Sequence, residues 1–163
     1  MYKRCLILIP ILLLAACGFH LRGSQTATVA GVSSVLLQSA GADGVTAEIR
    51  RQLAQSNTAI ADDAGGAEYI LNLSDQKTRR TVLSVSATTG KVEKYKLFLS
   101  VVISISKGET PLITGETIQV SRDYTFDPEA VLGKYSEEQV LQEEMVRNAA
   151  SQIIRRLNSL ARQ

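Results

Sequence analysis

Between Tyr95 and Ile105 every odd position is apolar or aromatic: Tyr95, Leu97, Leu99, Val101, Ile103 and Ile105. Lys94, Lys96, Ser100, Ser104 and Ser106 fall between them. A period of two held over that length demands a strand with one face buried and the other largely wet. Such a strand needs neighbours, and turn signals stand on both sides of it. Thr88-Thr89-Gly90-Lys91 closes a hairpin before it, and Lys107-Gly108-Glu109-Thr110-Pro111 turns the chain after it. The strand that follows alternates too, with Leu112, Ile118, Val120, Tyr124 and Phe126 on the even face. The strand that precedes begins with Tyr69, Leu71 and Leu73, is polar from Asp75 to Arg80, and resumes β character from Thr81 to Val85. We read it as one long, bent strand that projects past the core, with a bulge. The three strands make an antiparallel meander.

The remaining segments supply what this sheet buries itself against. Val35-Leu36-Leu37, within Val32 to Ser39, is a short apolar run that fits a buried strand. After the turn Ala40–Gly44, Val45, Ile49 and Leu53 recur every four residues, which is one stripe of an amphipathic helix stopping near Asn57. Thr58 to Asp62 is a brief extended piece, and Asp62-Asp63-Ala64-Gly65-Gly66 is a loop. Strand, helix and strand in that order make parallel neighbours. Asp127-Pro128 ends the sheet, and Gly133 interrupts a possible helical turn. Ser136-Glu137-Glu138-Gln139 then fits a capping box. Leu141, Met145, Ala149, Ile153, Leu157 and Leu160 repeat at three or four, so a long helix runs to the end. Glu137 and Glu138 at its start and Arg155, Arg156 and Arg162 at its end suit the helix dipole. The expected fold is an α/β (α+β) two-layer sandwich, with two helices packed on one face of a four-stranded mixed sheet.

The first residues are of a different kind. Tyr2-Lys3-Arg4 precedes an apolar run from Cys5 to Leu14, then Ala15-Ala16-Cys17-Gly18. A charged start, a short apolar stretch and small residues at a cut read as a secretory signal peptide, too short to span a bilayer. Small residues leading into a cysteine resemble the lipobox of bacterial lipoproteins. That resemblance implies cleavage before Cys17 and an S-diacylglyceryl and N-acyl lipid on Cys17; the alternative is an ordinary signal peptide with a chance cysteine. Gly18 after the lipid cysteine, rather than aspartate, points within that class to the outer membrane. The expected parts are a signal peptide at 1–16, a lipidated N-terminus and tether at 17–31, and a single domain at 32–163. Removing residues 1–16 from the 163 leaves 147, enough for one real core. Lys3 and Arg4 leave with them, so the 18 basic side chains fall to 16 and match the 16 acidic ones. Bulk attraction to nucleic acid is not expected from that balance.

Catalytic chemistry finds little support. The single histidine, His20, lies three residues from Cys17, where an interfacial polar role fits better than base or ligand. Cys5 leaves with the signal and Cys17 carries lipid, so no thiol nucleophile and no disulfide remain. Asp62-Asp63, Glu137-Glu138 and Glu143-Glu144 sit in a loop or on exposed helix faces, as solvated charge does. Basic residues cluster instead around the hairpin: Arg79 and Arg80 before it, and Lys91, Lys94 and Lys96 after its turn. Arg and Lys bind phosphate by charge-assisted hydrogen bonds, so this tip suits an anionic lipid. Equally, such charges blunt an exposed sheet end against aggregation.

The order of parts resembles the LPS-assembly lipoprotein family, LptE. Cys17-Gly18-Phe19-His20-Leu21-Arg22 carries the resemblance, supported by Gly90 to Tyr95 at the hairpin and Asp127-Pro128 to Gln139 before the last helix. It implies a non-enzymatic outer-membrane lipoprotein with no cofactor beyond its own lipid. It also implies a plug in the lumen of the LptD β-barrel, needed for barrel assembly, that binds lipopolysaccharide on its way to the cell surface. The family's basic contact before the last helix falls on Lys134. Its basic residue before the hairpin glycine is threonine here (Thr88 or Thr89), with Lys91, Arg79 or Arg80 as substitutes. The alternative is a lipid-anchored periplasmic module for another ligand or a cell-wall target, which a concave apolar pocket would reveal.

Overall fold

The computed structural model describes residues 31–56, 58–125 and 131–163, with side chains in the last range from Glu137 onward. The signal segment, Cys17 and its tether to residue 30, Asn57, Phe126 and Asp127-Pro128 lie outside the described residues. Strand β1 (Ser34–Ala40), helix α1 (Asp43–Ala54) and strand β2 (Ala59–Ile60) come first. Strands β3 (Tyr69–Val85), β4 (Val92–Lys107) and β5 (Thr110–Thr125) follow, and helix α2 (Val131–Ala161) closes the chain. The sheet order is β2-β1-β3-β4-β5, parallel from β2 through β1 to β3 and antiparallel from β3 to β5. The mixed α+β architecture is as expected, but the sheet has five strands rather than four. The extra one is β2, inside the piece expected to be extended. Two residues are too short to carry a period, so only pairing reveals them as a strand: Ala59 N donates to Ser33 O at 2.9 Å and Ala61 N to Val35 O at 3.0 Å.

Both apolar stripes are buried where the spacing places them. In α1, Val45, Ile49 and Leu53 are fully buried. In α2, Met145, Ala149, Ile153 and Leu157 are buried with Ala150 and Ile154 beside them. The odd residues of β4 from Leu97 to Ile105 face them, at most 3% exposed. Each such aliphatic side chain, taken fully out of water, stabilises the fold by about 1.5–3 kcal/mol. The core is therefore a single layer between two helices and one sheet face.

Two bulges set which residues reach that layer. In β3, pairing runs from Tyr69 opposite Lys107 to Ser74 opposite Val102, then resumes at Lys77 opposite Ser100, one residue out of step. Asp75 takes up the difference with φ +53°, a left-handed conformation that aspartate tolerates better than most residues. The bulge also serves α1. Ala42, at its N-cap, gives no side-chain cap. Gln76 reaches over from β3 and accepts Val45 N–H at 3.0 Å, and a Cβ on Gly44 would stand 3.1 Å from that amide.

The second bulge, at Gly115 (φ +66°), lies between Ile103 opposite Glu116 and Ile105 opposite Ile113. It reverses the phase of β5 before Glu116. Leu112 is consequently exposed and Ile113 turns to the core, whereas Ile118, Val120 and Tyr124 are buried on the even face as expected.

Helix α2 is longer than its sequence signal, at 31 residues. It starts at Val131 and runs through Gly133, so Ser136 stands inside the helix rather than at its cap. A glycine in a helix interior costs only about 1 kcal/mol relative to alanine, which a helix anchored by so many buried residues tolerates. With the longer boundaries, Glu137 and Glu138 fall outside the first turn, which holds no acidic residue, and the last turn holds no basic one. The dipole complementarity expected from the sequence is absent.

A candidate functional site at the hairpin tip

The β3–β4 hairpin outruns the helices that cover its base. Its turn is built as its residues predict: Ser86 N donates to Lys91 O at 2.8 Å, Gly90 N donates to Ser86 O at 2.9 Å, and Gly90 takes φ +66°. Below the turn, Val82, Leu83 and Val85 are 48%, 44% and 55% exposed. Lys91 follows the turn, and Lys94 lies opposite Ser84 on β3. The tip is thus apolar and cationic together. The sequence reading found the lysines but missed the apolar half. Its signal was there: Val82-Leu83 breaks the strict alternation, and a strand does that where neither face is wholly assigned to the core.

The β3 bulge places the two neighbouring arginines on opposite faces. Arg79 lies opposite Phe98 on the face away from the helices, its guanidinium 5.0 Å from the ring centre. Lys96 is the next residue along that face on β4, opposite Thr81 and Asp123, and pairs with Asp123 at 3.4 Å. Lys94 stands beyond it. Among the described residues no carboxylate pairs with Arg79, Lys91 or Lys94. The open face thus presents Arg79, Lys96 and Lys94 in one column leading to Lys91 at the turn.

Arg80 does not belong to that column. It lies on the helix side, 4.8 Å over the Tyr95 ring, and donates to Glu138 Oε2 at 3.2 Å. Tyr124 Oη donates to the same oxygen at 2.7 Å, and the Tyr95 and Tyr124 rings stack with centres 5.6 Å apart. Burial, then the bond to Glu138, raises the phenol of Tyr124 above its ordinary value. The bond and charge of Tyr124, then Glu138, raise the Arg80 guanidinium further. One carboxylate on α2 therefore gathers β3, β4 and β5 beneath the first half of the helix. Lys134 stands one helical turn before Glu138; its backbone belongs to α2, and its side chain lies outside the described residues.

Elsewhere the surface offers no enclosed apolar site. The groove between α1 and α2 is open and lined by Glu48, Arg51, Gln142, Glu143 and Arg147. Among the described residues no group of three or more His, Cys, Asp or Glu could hold a metal ion, and no helix is long and apolar enough to cross a membrane.

Known proteins share both sequence and fold with this chain. The family model described as LptE, Lipopolysaccharide-assembly, matches residues 27–157. A protein named LPS-assembly lipoprotein LptE from Pectobacterium atrosepticum is 32% identical over 157 residues, covering 91% of this chain and 80% of its own length. One of the same name from Photorhabdus laumondii is 30% identical over 153 residues, covering 91% and 81%. Among solved structures, rare lipoprotein B from Shewanella oneidensis matches with TM-score 0.69 at 28% identity over 78% of this chain and 96% of that one. A lipoprotein B from Nitrosomonas europaea has the same fold, with TM-score 0.72 at 23% identity over 88% and 92%. The expected resemblance and the non-enzymatic reading both stand on these matches, and the chain belongs to the LptE lipopolysaccharide-assembly family.

Proposed function

We propose that this protein is an outer-membrane lipoprotein that plugs and helps assemble an LptD-type β-barrel, and that it binds lipopolysaccharide through the hairpin tip. Residues 1–16 leave as the signal peptide, Cys17 carries the S-diacylglyceryl and N-acyl lipid, and residues 17–31 tether the domain at 32–163 to the periplasmic side of the membrane. The observation that carries the ligand reading is the mixed chemistry of the tip. Lipid A presents phosphates beside acyl chains, and Val82, Leu83 and Val85 stand beside Lys91 and Lys94 with no carboxylate pairing those lysines among the described residues. Phosphate accepts charge-assisted hydrogen bonds from Lys and Arg. Exposed aliphatic groups gain about 25 cal/mol per Å² on leaving water for an acyl surface. Arg79 and Lys96 extend the cationic surface along the open face. Lys134 is the family's implied contact before the last helix. Arg80, already committed to Glu138, serves the fold.

Binding of this kind needs shape and charge and no turnover. The polar, open groove between the helices gives no support to the alternative of a small-ligand module. The test is a detergent pull-down of the tagged full chain, with the partner identified by mass. A stoichiometric LptD-type barrel is the expected result; a chain recovered alone overturns the plug reading.

A further inference from the structure

Sheets end in edges, and the two edges here are managed very differently. At one side β2 is two residues long, and shortness protects it. At the other, β5 runs for 16 residues and pairs only with β4. Pro111 and the Gly115 bulge interrupt its first third. From Glu116 to Thr125 its register with β4 is unbroken, so its outer side presents a regular row of backbone donors and acceptors.

That stretch is self-complementary. Turned antiparallel to itself about Gln119, it sets Glu116 opposite Arg122, Thr117 opposite Ser121 and Ile118 opposite Val120, each pair twice. Directly opposed residues of an antiparallel pair share a face, so the opposite charges meet on the helix side and the hydroxyls on the open side. Both charged groups have capacity to spare. Arg156 Nε and Nη2 both donate to Glu116 Oε2, at 3.2 and 3.0 Å, leaving Oε1 without a bond among the described residues. Arg122 donates to Ser121 O at 3.1 Å and pairs with no carboxylate among the described residues. Shifting the register by two residues either way separates the charges.

We propose that two copies of this chain associate through their β5 edges, antiparallel and centred on Gln119, joining two five-stranded sheets into one of ten strands. The contact is a short strand pair, so the dimer is reversible, and it covers the one long unpaired edge while no other strand is available to it.

Cysteine cross-linking in the full chain, purified in detergent, tests both the partner and the register. Thr117, Gln119 and Ser121 are exposed, so cysteine at any of them leaves the core intact. Gln119→Cys gives a disulfide-linked dimer of twice the chain mass, well above the parent with its native cysteines alone. A mixture of Thr117→Cys and Ser121→Cys chains gives the mixed dimer in preference to either self-dimer. Adding Arg122→Glu to Gln119→Cys lowers the yield roughly tenfold by setting like charges opposite each other twice. Glu116→Arg together with Arg122→Glu restores it. A Gln119→Cys yield no greater than the parent's, a yield indifferent to Arg122→Glu, or capture only of a different protein overturns the proposal.

Discussion

The two ends of the β3–β4 hairpin have the same backbone ladder and opposite fates. At the base, Tyr69, Leu71, Leu73, Ile103 and Ile105 are at most 1% exposed. The charges there are satisfied: Glu68 Oε2 accepts from Ser33 N at 2.9 Å and Ser33 Oγ at 2.7 Å, while Lys107 pairs with Glu68 at 3.2 Å and lies 5.2 Å from the Tyr69 ring centre. At the tip, aliphatic groups meet water and Lys91 and Lys94 lack a carboxylate among the described residues. The helices cover one end and stop short of the other. Stability should therefore reside at the base and ligand chemistry at the tip, and the two should be separable by mutation.

The largest effect should come from the base. Leu71→Ala removes a fully buried side chain and should cost about 2–5 kcal/mol in urea unfolding. Leu83→Ala at the tip should stay within about 0.5 kcal/mol. Equal costs at the two positions would erase the distinction. Next, Arg79→Ser with Lys94→Ser should weaken binding of lipopolysaccharide by roughly tenfold or more, since two charge-assisted bonds are lost, with an unchanged melting curve. Loss of fold without loss of binding would invert the assignment. The clamp between the two regions should show an intermediate effect. Glu138→Gln should destabilise by about 1 kcal/mol, because Arg80 is half exposed and its pair is partly screened. Hydrogen exchange should rise first in α2 near residue 138.

The smallest effect is one of pH. Hydrogen bonds from Ser33 hold the Glu68 carboxyl below its ordinary 4.5. A depressed carboxylate contributes stability that is present above the unfolded value and is lost as pH falls through the folded one. Glu68→Gln should therefore reduce stability at neutral pH and flatten its decline below about pH 4.5. An unchanged acid limb in urea titrations would show that the base owes nothing to this group.

Legibility followed periodicity. Strand β4 could be read residue by residue because alternation over its length has one physical meaning. Both helical stripes were equally plain. Where a single residue changes the phase, the pattern fails locally. Leu112 looked buried because Gly115, a glycine inside a strand, was not read as a bulge. Arg79 and Arg80 looked like one cluster because adjacent strand residues share a sequence neighbourhood but not a face. The α2 start was placed five residues late because Ser136 to Gln139 matches a cap whose context only the backbone supplies. Strand β2 exists through its pairing alone. The apolar half of the tip was visible as Val82-Leu83 and passed over, since lone exposed aliphatics acquire meaning only beside cations.

The bulge at Asp75 has a meaning for the gene as well as for the strand. Because faces alternate residue by residue, loss of one codon between residues 77 and 84 would exchange the sides of everything beyond it, sending Arg79 or Arg80 to the wrong surface. Loss of the codon for Asp75 would instead remove the surplus residue, leave Lys77 opposite Ser100 and keep both arginines where they are. The chain thus contains one position on this strand where length can drift without the chemistry of the tip drifting with it.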